Sequence, residues 1–556
     1  MRVLRMPVRL ARTTAGLLAA AIAAVAVPAS AQDCAALAGV TLPHAKISSA
    51  TMVGTDGFAE PVREGRPVVR YAAARDFCRV RGVSSPVAGS KIGFEVWLPA
   101  SATWSARLHM VGNGGYGSNL YYAQMAARVA RGDVAVATDT GHSGGDLGFG
   151  RDNPVAIADW GNRAVHESVV AAKLILKAYY GKPQRFAYFS GSSTGGHQAL
   201  MVAQRHPEDF DGIIAGAPGN NRTNLNLLFL WEFLQNHRRG DNEHPIVPDA
   251  KLKTITAAAI KACDAGDGVA DGVINDPREC RFDVATMLCP AAETSECLTA
   301  EQVATIKAIY QGPRDARTGK QLYPGLTFGS EGIDYDDHAG WNAFWANPDK
   351  PNEPNRADFF RYWVFHDVNW DWWRFDWGKD VDTVLAAMAP VINATDPDLS
   401  RFRAHGGKLI LFMGWNDPVG SAPEAIDYYH SVVARSTGAD AAAKLADTQG
   451  FARLYMIAGM SHTATGPGAT YVSNATRDSA PPVEDSRHDM ARALQDWVEK
   501  GVAPNDLVAT HFAKGSGPAG TIGFQRPICV YPKIPRYRSG DKASAASFRC
   551  TAPGQK

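Results

Sequence analysis

The chain has 556 residues, 45% of them hydrophobic, with 57 Lys and Arg against 56 Asp and Glu. So even a charge balance gives no footing for binding nucleic acid or an anionic membrane surface. The length exceeds one ordinary domain and predicts a large domain carrying an insertion.

At the N-terminus, Arg2, Arg5, Arg9 and Arg12 precede an apolar stretch over 15–27, and Ala29-Ser30-Ala31 supplies a small-x-small cleavage site. This is the pattern of a secretory signal peptide over residues 1–31, with the mature chain starting near Gln32. The apolar stretch is too short to span a bilayer comfortably, and no later stretch is long and apolar enough. The expectation is a secreted or periplasmic protein with no membrane partner. Export makes the eight cysteines, at 34, 78, 263, 280, 289, 297, 529 and 550, disulfide candidates. Local spacing suggests Cys34–Cys78, Cys263–Cys280, Cys289–Cys297 and Cys529–Cys550. Eight cysteines allow about a hundred pairings, so spacing alone does not decide among them.

From residue 91 strand and helix signals alternate. Residues 92–98, 106–111, 134–138, 186–190 and 212–216 read as strands, and 121–130 and 162–180 as helices. That rhythm predicts a parallel sheet with helices on both faces. It stops after Pro218. Residues 220–395 hold four cysteines, an acidic loop and seven of the thirteen tryptophans, between Trp341 and Trp377. It resumes at 408–413 and 453–457, and a helix over 484–500 closes the pattern. Residues 32–219 and 396–556 are therefore expected to share one sheet, interrupted by an inserted domain over 220–395.

The strand at 186–190 runs into Gly191-Ser192-Ser193-Thr194-Gly195, and a helical run follows. A serine on a tight strand-to-helix turn, flanked by glycines that relieve backbone crowding, is a nucleophile elbow. Gly141-His142-Ser143-Gly144-Gly145 repeats the spacing, but a Gly- and Pro-rich segment follows it and starts no helix. Ser193 is therefore the expected nucleophile, and Ser143 a loop hydroxyl.

Such a serine needs an acid and a histidine later in the chain, in that order. Asp417 follows the strand at 408–413, and His462 lies in a Gly-rich loop after the strand at 453–457. The imidazole would take the Ser193 proton, and Asp417 would orient and stabilise the imidazolium. The loop Gly112-Asn113-Gly114-Gly115 is expected to supply an oxyanion donor, from Gly114 or the nearly equivalent Gly115, together with the Thr194 amide. These features predict an α/β-hydrolase with a large inserted domain. Arg356 and Arg374 are candidates to pair with a substrate carboxylate.

Within the insertion, Asp264, Asp267 and Asp271 recur at short intervals between glycines. Oxygen ligands so spaced suit a hard cation, Ca²⁺, although the spacing is not that of an EF-hand.

Seven segments in this order resemble the tannase and feruloyl esterase family, which includes tannases, type-B feruloyl esterases and mono(2-hydroxyethyl) terephthalate hydrolases. They are V-G-N-G-G-Y-G at 111–117, T-D-T-G-H at 138–142, G-S-S-T-G-G at 191–196, C-D-A-G-D-G-V-A-D-G-V-I at 263–274, T-D-P-D-L-S at 395–400, G-G-K-L-I-L-F-M-G-W-N-D-P at 406–418 and G-M-S-H at 459–462. The resemblance implies a Ser193, Asp417, His462 triad, a lid over the site, and structural Ca²⁺ held by the Asp264, Asp267 and Asp271 side chains and the Val269 and Val273 carbonyls. It also implies that the eight cysteines form the four local pairs. One departure stands out. The family's cysteines beside the nucleophile and beside the histidine are replaced by Ser192 and Thr463, which are expected to face each other. The function implied is hydrolysis of small esters of aromatic acids. The alternatives are a catalytically weak binding protein on the same fold, which a serine-directed probe would expose, and a serine peptidase.

Overall fold

The computed structural model describes residues 33–61, 67–335, 338–472, 483, 485–513 and 520–554. The signal-peptide segment and Glu484, where the closing helix was expected to begin, lie outside them.

A nine-stranded sheet organises the chain. At one edge β1 (Ala45–Val53) pairs antiparallel with β2 (Phe77–Ser84), and β2 with β3 (Ile92–Pro99). The remaining strands are β4 (Arg107–Val111), β5 (Val134–Thr138), β6 (Phe186–Ser192), β7 (Gly212–Gly216), β8 (Lys408–Gly414) and β9 (Ala452–Ile457). The order across the sheet is β1-β2-β3-β5-β4-β6-β7-β8-β9. β3 meets β5 antiparallel, and every pair beyond it is parallel. The sheet is thus mixed where the sequence suggested only parallel pairing. β2 escapes the apolar reading because its buried Arg79 stands where an apolar residue would, held by Glu95 of β3 at 2.8 Å.

The parallel strands are buried on both faces and so read as near-continuous apolar runs; all five residues of β5 are buried. Phe189 and Tyr188, neighbours on β6, enter two different core clusters on opposite faces. One face carries α2 (Ala164–Tyr180), α3 (Thr194–Arg205) and α8 (Ala422–Arg435); the opposite face carries α9 (Met490–Lys500) and, in a further cluster, α1 (Tyr122–Ala130). α2 begins later than the expected 162 because a π-turn over Asp159–Arg163 precedes it. It ends at Gly181, whose φ of 71° closes a helix without a Cβ penalty.

Among the described residues, 217–407 add no strand to the large sheet. Their longer helices are α4 (Arg222–Asn236), α5 (Asp249–Cys263), α6 (Ala300–Gln311) and α7 (Lys379–Ile392). Trp341, Trp345 and Trp363 are buried in the cores these helices build, so the tryptophan richness of this segment largely fills its own interior. All four local disulfides are formed: Cys34–Cys78, Cys263–Cys280, Cys289–Cys297 and Cys529–Cys550.

Candidate active site and acidic loop

The Ser193 turn is built by close backbone packing. Ser193 has φ 60° and ψ −120°, a conformation rare outside glycine, and it stands directly before α3. Its N–H donates to the Gly216 carbonyl at 2.9 Å, and its own carbonyl accepts from His197 N–H at 3.0 Å. A Cβ on Gly191 would lie 2.4 Å from the Gly195 oxygen, and one on Gly196 2.3 Å from the Gly216 oxygen. Only glycine fits where β6, α3 and β7 converge this closely.

The loops after β8 and β9 are knitted together. Trp415 N–H donates to the Ile457 carbonyl at 3.0 Å, and Asn416 N–H to the Met460 carbonyl at 2.9 Å. This brings Asp417 and His462 together: His462 Nδ1 lies 2.7 Å from Asp417 Oδ2. The other carboxylate oxygen accepts the amides of Val419 at 2.8 Å and Gly420 at 3.1 Å. Both side chains are buried. Ser193 and His462 line one cavity of about 200 Å³, together with Gly114, Gly115, Tyr121 and Gln124. Ser192 and Thr463 also line this cavity. Ser192 Oγ is buried and has no hydrogen-bond partner. Ser143 does not line that cavity. Its neighbour His142 is tied instead to the Tyr116 carbonyl at 2.7 Å and stacks on Phe149.

The glycine loop is clamped to α3. Gln198 accepts from Asn113 N–H at 2.9 Å and donates to Asn113 Oδ1 at 3.0 Å. Thr194 Oγ1 donates to the Gly115 carbonyl at 2.6 Å and accepts from Arg222 Nη2 at 3.0 Å. Arg222 is buried, which lowers its guanidinium to about 10. It links the first turn of α4 to the loop beside the serine. The sequence reading missed this residue; the signal was a cation in an otherwise polar-to-apolar helix start, Asn-Asn-Arg-Thr-Asn-Leu.

A second cavity of about 400 Å³ shares Gly115 with the first and is lined by Tyr116, Leu147, Phe344, Asn355 and Arg356. Arg356 has φ 61°, and its guanidinium lies 4.7 Å from the Tyr116 ring centroid. Its Nε and Nη1 are buried with no hydrogen-bond partner. Arg374 is exposed and lines neither cavity. Of the two arginines expected to meet a carboxylate, only Arg356 is in position. No tryptophan lines either cavity; the aromatic walls are Tyr116, Tyr121 and Phe344.

The acidic loop runs from the end of α5. Asp264 accepts the amides of Asp271, Gly272 and Val273 at 3.1, 2.9 and 3.3 Å. Asp267 accepts Val269 N–H at 2.9 Å and Asn275 Nδ2 at 2.6 Å. Asp271 Oδ2 pairs with Arg526 at 2.5 Å, whereas its Oδ1 is buried without a partner. Burial, with the neighbouring Asp271 and Asp264 charges, pushes the Asp267 carboxyl up to about 6. An orphaned carboxylate oxygen and an under-compensated cluster of acids suit a cation with oxygen ligands.

A sequence model described as tannase and feruloyl esterase matches residues 78–551. The chain belongs to the tannase and feruloyl esterase family. It is 39% identical to an uncharacterized esterase of Xanthomonas campestris, over 96% of this chain and 93% of that one. It is 31% identical to the mono(2-hydroxyethyl) terephthalate hydrolase of Piscinibacter sakaiensis, over 88% and 87%. Its fold is similar to the crystal structure of feruloyl esterase B from Aspergillus oryzae, with a TM-score of 0.83 at 27% identity, covering 93% of this chain and 99% of that one. Membership makes the chain a carboxylic ester hydrolase on an α/β-hydrolase fold.

Proposed function

We propose that this esterase cleaves small esters of aromatic acids, of the feruloyl, galloyl or terephthaloyl kind, through Ser193, His462 and Asp417. The observation that carries the reading is the 2.7 Å contact between His462 Nδ1 and Asp417 Oδ2 in the cavity lined by the strained Ser193. His462 Nε2 takes the Ser193 proton as Oγ bonds to the ester carbonyl carbon, and returns that proton to the departing alcohol. Water then repeats the sequence, releasing the acid and restoring Ser193. Asp417 holds the imidazole tautomer and stabilises the imidazolium. The amides of Thr194 and of Gly114 or Gly115 stabilise the oxyanion; the clamp from Thr194 Oγ1 to Gly115 keeps that loop in place.

The aromatic acyl group fits the larger cavity, where Tyr116 and Phe344 offer flat walls. Arg356 would receive an anionic or polar substituent on the ring. Residues 220–395 act as the lid that supplies Phe344 and Arg356. In the loop below α5, Asp264, Asp267 and Asp271, with the Val269 and Val273 carbonyls, would hold a Ca²⁺ whose role is to stabilise the fold. The N-terminal pattern and four disulfides support a secreted or periplasmic location. No helix of the described residues is long and apolar enough to cross a membrane.

Initial rates on methyl ferulate, methyl gallate and mono(2-hydroxyethyl) terephthalate, measured side by side for the native chain and Arg356→Met, test the reading. Hydrolysis of at least one is expected, with the carboxylate-bearing substrate losing most on removal of Arg356. Turnover of none of the three by folded, calcium-loaded protein would overturn the aromatic-acid assignment.

A further inference from the structure

Away from the catalytic cavity, His166, His206 and Asp209 bring one ligand atom each to within 4.8 Å of one another. Among the described residues this is the one such cluster of three. His166 is in the first turn of α2, His206 follows the last residue of α3, and Asp209 lies in the turn leading to β7. The two imidazoles stack with ring centroids 3.7 Å apart and planes at 13°. His166 Nδ1 lies 2.8 Å from Asp209 Oδ2.

The backbone that carries the cluster is held by its own contacts. Asp209 is 3% exposed. Its N–H donates to the His206 carbonyl at 3.0 Å, and its carbonyl accepts Lys173 Nζ at 2.6 Å. His206 N–H continues α3 by donating to the Val202 carbonyl at 2.8 Å. The other face is open: the His166 side chain is 28% exposed, which leaves room for a water ligand. Glu167 and Glu208 add negative field around His166, with Arg205 and Lys173 the nearby cations.

We propose that His166, His206 and Asp209 form a second metal site, for a borderline divalent ion such as Zn²⁺. Two imidazoles and one carboxylate match the donors Zn²⁺ prefers, whereas Ca²⁺ takes an all-oxygen shell. Tetrahedral bonds of about 2.0–2.2 Å put ligand atoms about 3.4 Å apart. The stacked rings hold their lone pairs in nearly parallel planes, so binding one ion requires one imidazole to turn out of the stack towards the other ligands. The ion would replace the proton shared by His166 and Asp209 and would pin α2 to the end of α3. α3 spans 12 residues from Ser193, about 18 Å of helix. The ion therefore takes no part in the ester chemistry; it anchors the far end of the helix whose first turn carries the nucleophile.

Calorimetric titration of tag-free, calcium-loaded protein with Zn²⁺ tests the site. One ion per chain is expected, with Kd of about a micromolar or tighter. His206→Gln and Asp209→Asn should each weaken it at least about tenfold. The esterase rate of His206→Gln, unchanged from native, shows that the variant is folded. Zn²⁺ should also raise the melting temperature of the native protein and leave that of His206→Gln unmoved. Absence of Zn²⁺ binding below millimolar, or equal binding by native protein and both variants, would overturn the site.

Discussion

Asp417 and the aspartates at 264–271 are both acids taken out of water, and the chain holds them in different ways. Beside His462, Asp417 is fully compensated: two backbone amides grip one oxygen and His462 the other. Nearby Glu424, also buried, is handled by keeping its proton, since burial raises its carboxyl to about 8. In the 264–276 loop Asp271 Oδ1 has no partner, and burial with the Asp271 and Asp264 charges raises Asp267 to about 6. An orphaned oxygen such as Asp271 Oδ1 is what the proposed cation would satisfy.

The sharpest way to break that contrast is Asp417→Asn. The amide preserves shape but favours the wrong imidazole tautomer, so kcat should fall roughly a thousand- to ten-thousand-fold, with little change in the melting curve. A variant that keeps native kcat would remove Asp417 from the reaction. Chelation of the acidic loop should do the reverse. Calcium at about a hundredfold excess over its Kd stabilises the fold by about 2.7 kcal/mol. Its removal should therefore lower the melting temperature while the enzyme that remains folded keeps its kcat. An unmoved melting temperature after verified metal removal would refute the structural role.

The smallest effect concerns Glu424. Its folded pKa lies above the ordinary 4.5, so the folded state binds a proton that the unfolded state releases. That contribution is fully present below about 4.5 and is lost as pH rises through about 8, with a slope of at most about 1.4 kcal/mol per pH unit. Glu424→Gln removes the titration. Its melting temperature should gain on the native protein between pH 6 and pH 8; curves that stay parallel would show that Glu424 is not held protonated.

How legible these regions were differs for physical reasons. The elbow could be read because its geometry demands specific residues: no side chain replaces Gly191 or Gly196 where backbone lies within 2.4 Å of a Cβ. Asp417 and His462 were legible by chain order after two apolar strands. The parallel strands declared themselves as apolar runs. β1 did not, because its exposed positions are mostly polar, and β2 did not, because a buried ion pair, Arg79 with Glu95, stands in the core. Arg222 and Arg356 acquire meaning only from what surrounds them. Their guanidiniums lie 5.7 and 4.7 Å from the Tyr116 ring centroid, across more than a hundred residues of chain.

Everything proposed for the reaction depends on Ser193, and not the similarly spaced Ser143, being the nucleophile. Labelling with a fluorophosphonate, followed by peptide mass spectrometry, tests it most directly. The modification is expected on Ser193 in the native chain and in Ser143→Ala, and absent from Ser193→Ala, which should also lose nearly all turnover while remaining folded. Label on Ser143, or native activity in Ser193→Ala, would contradict it.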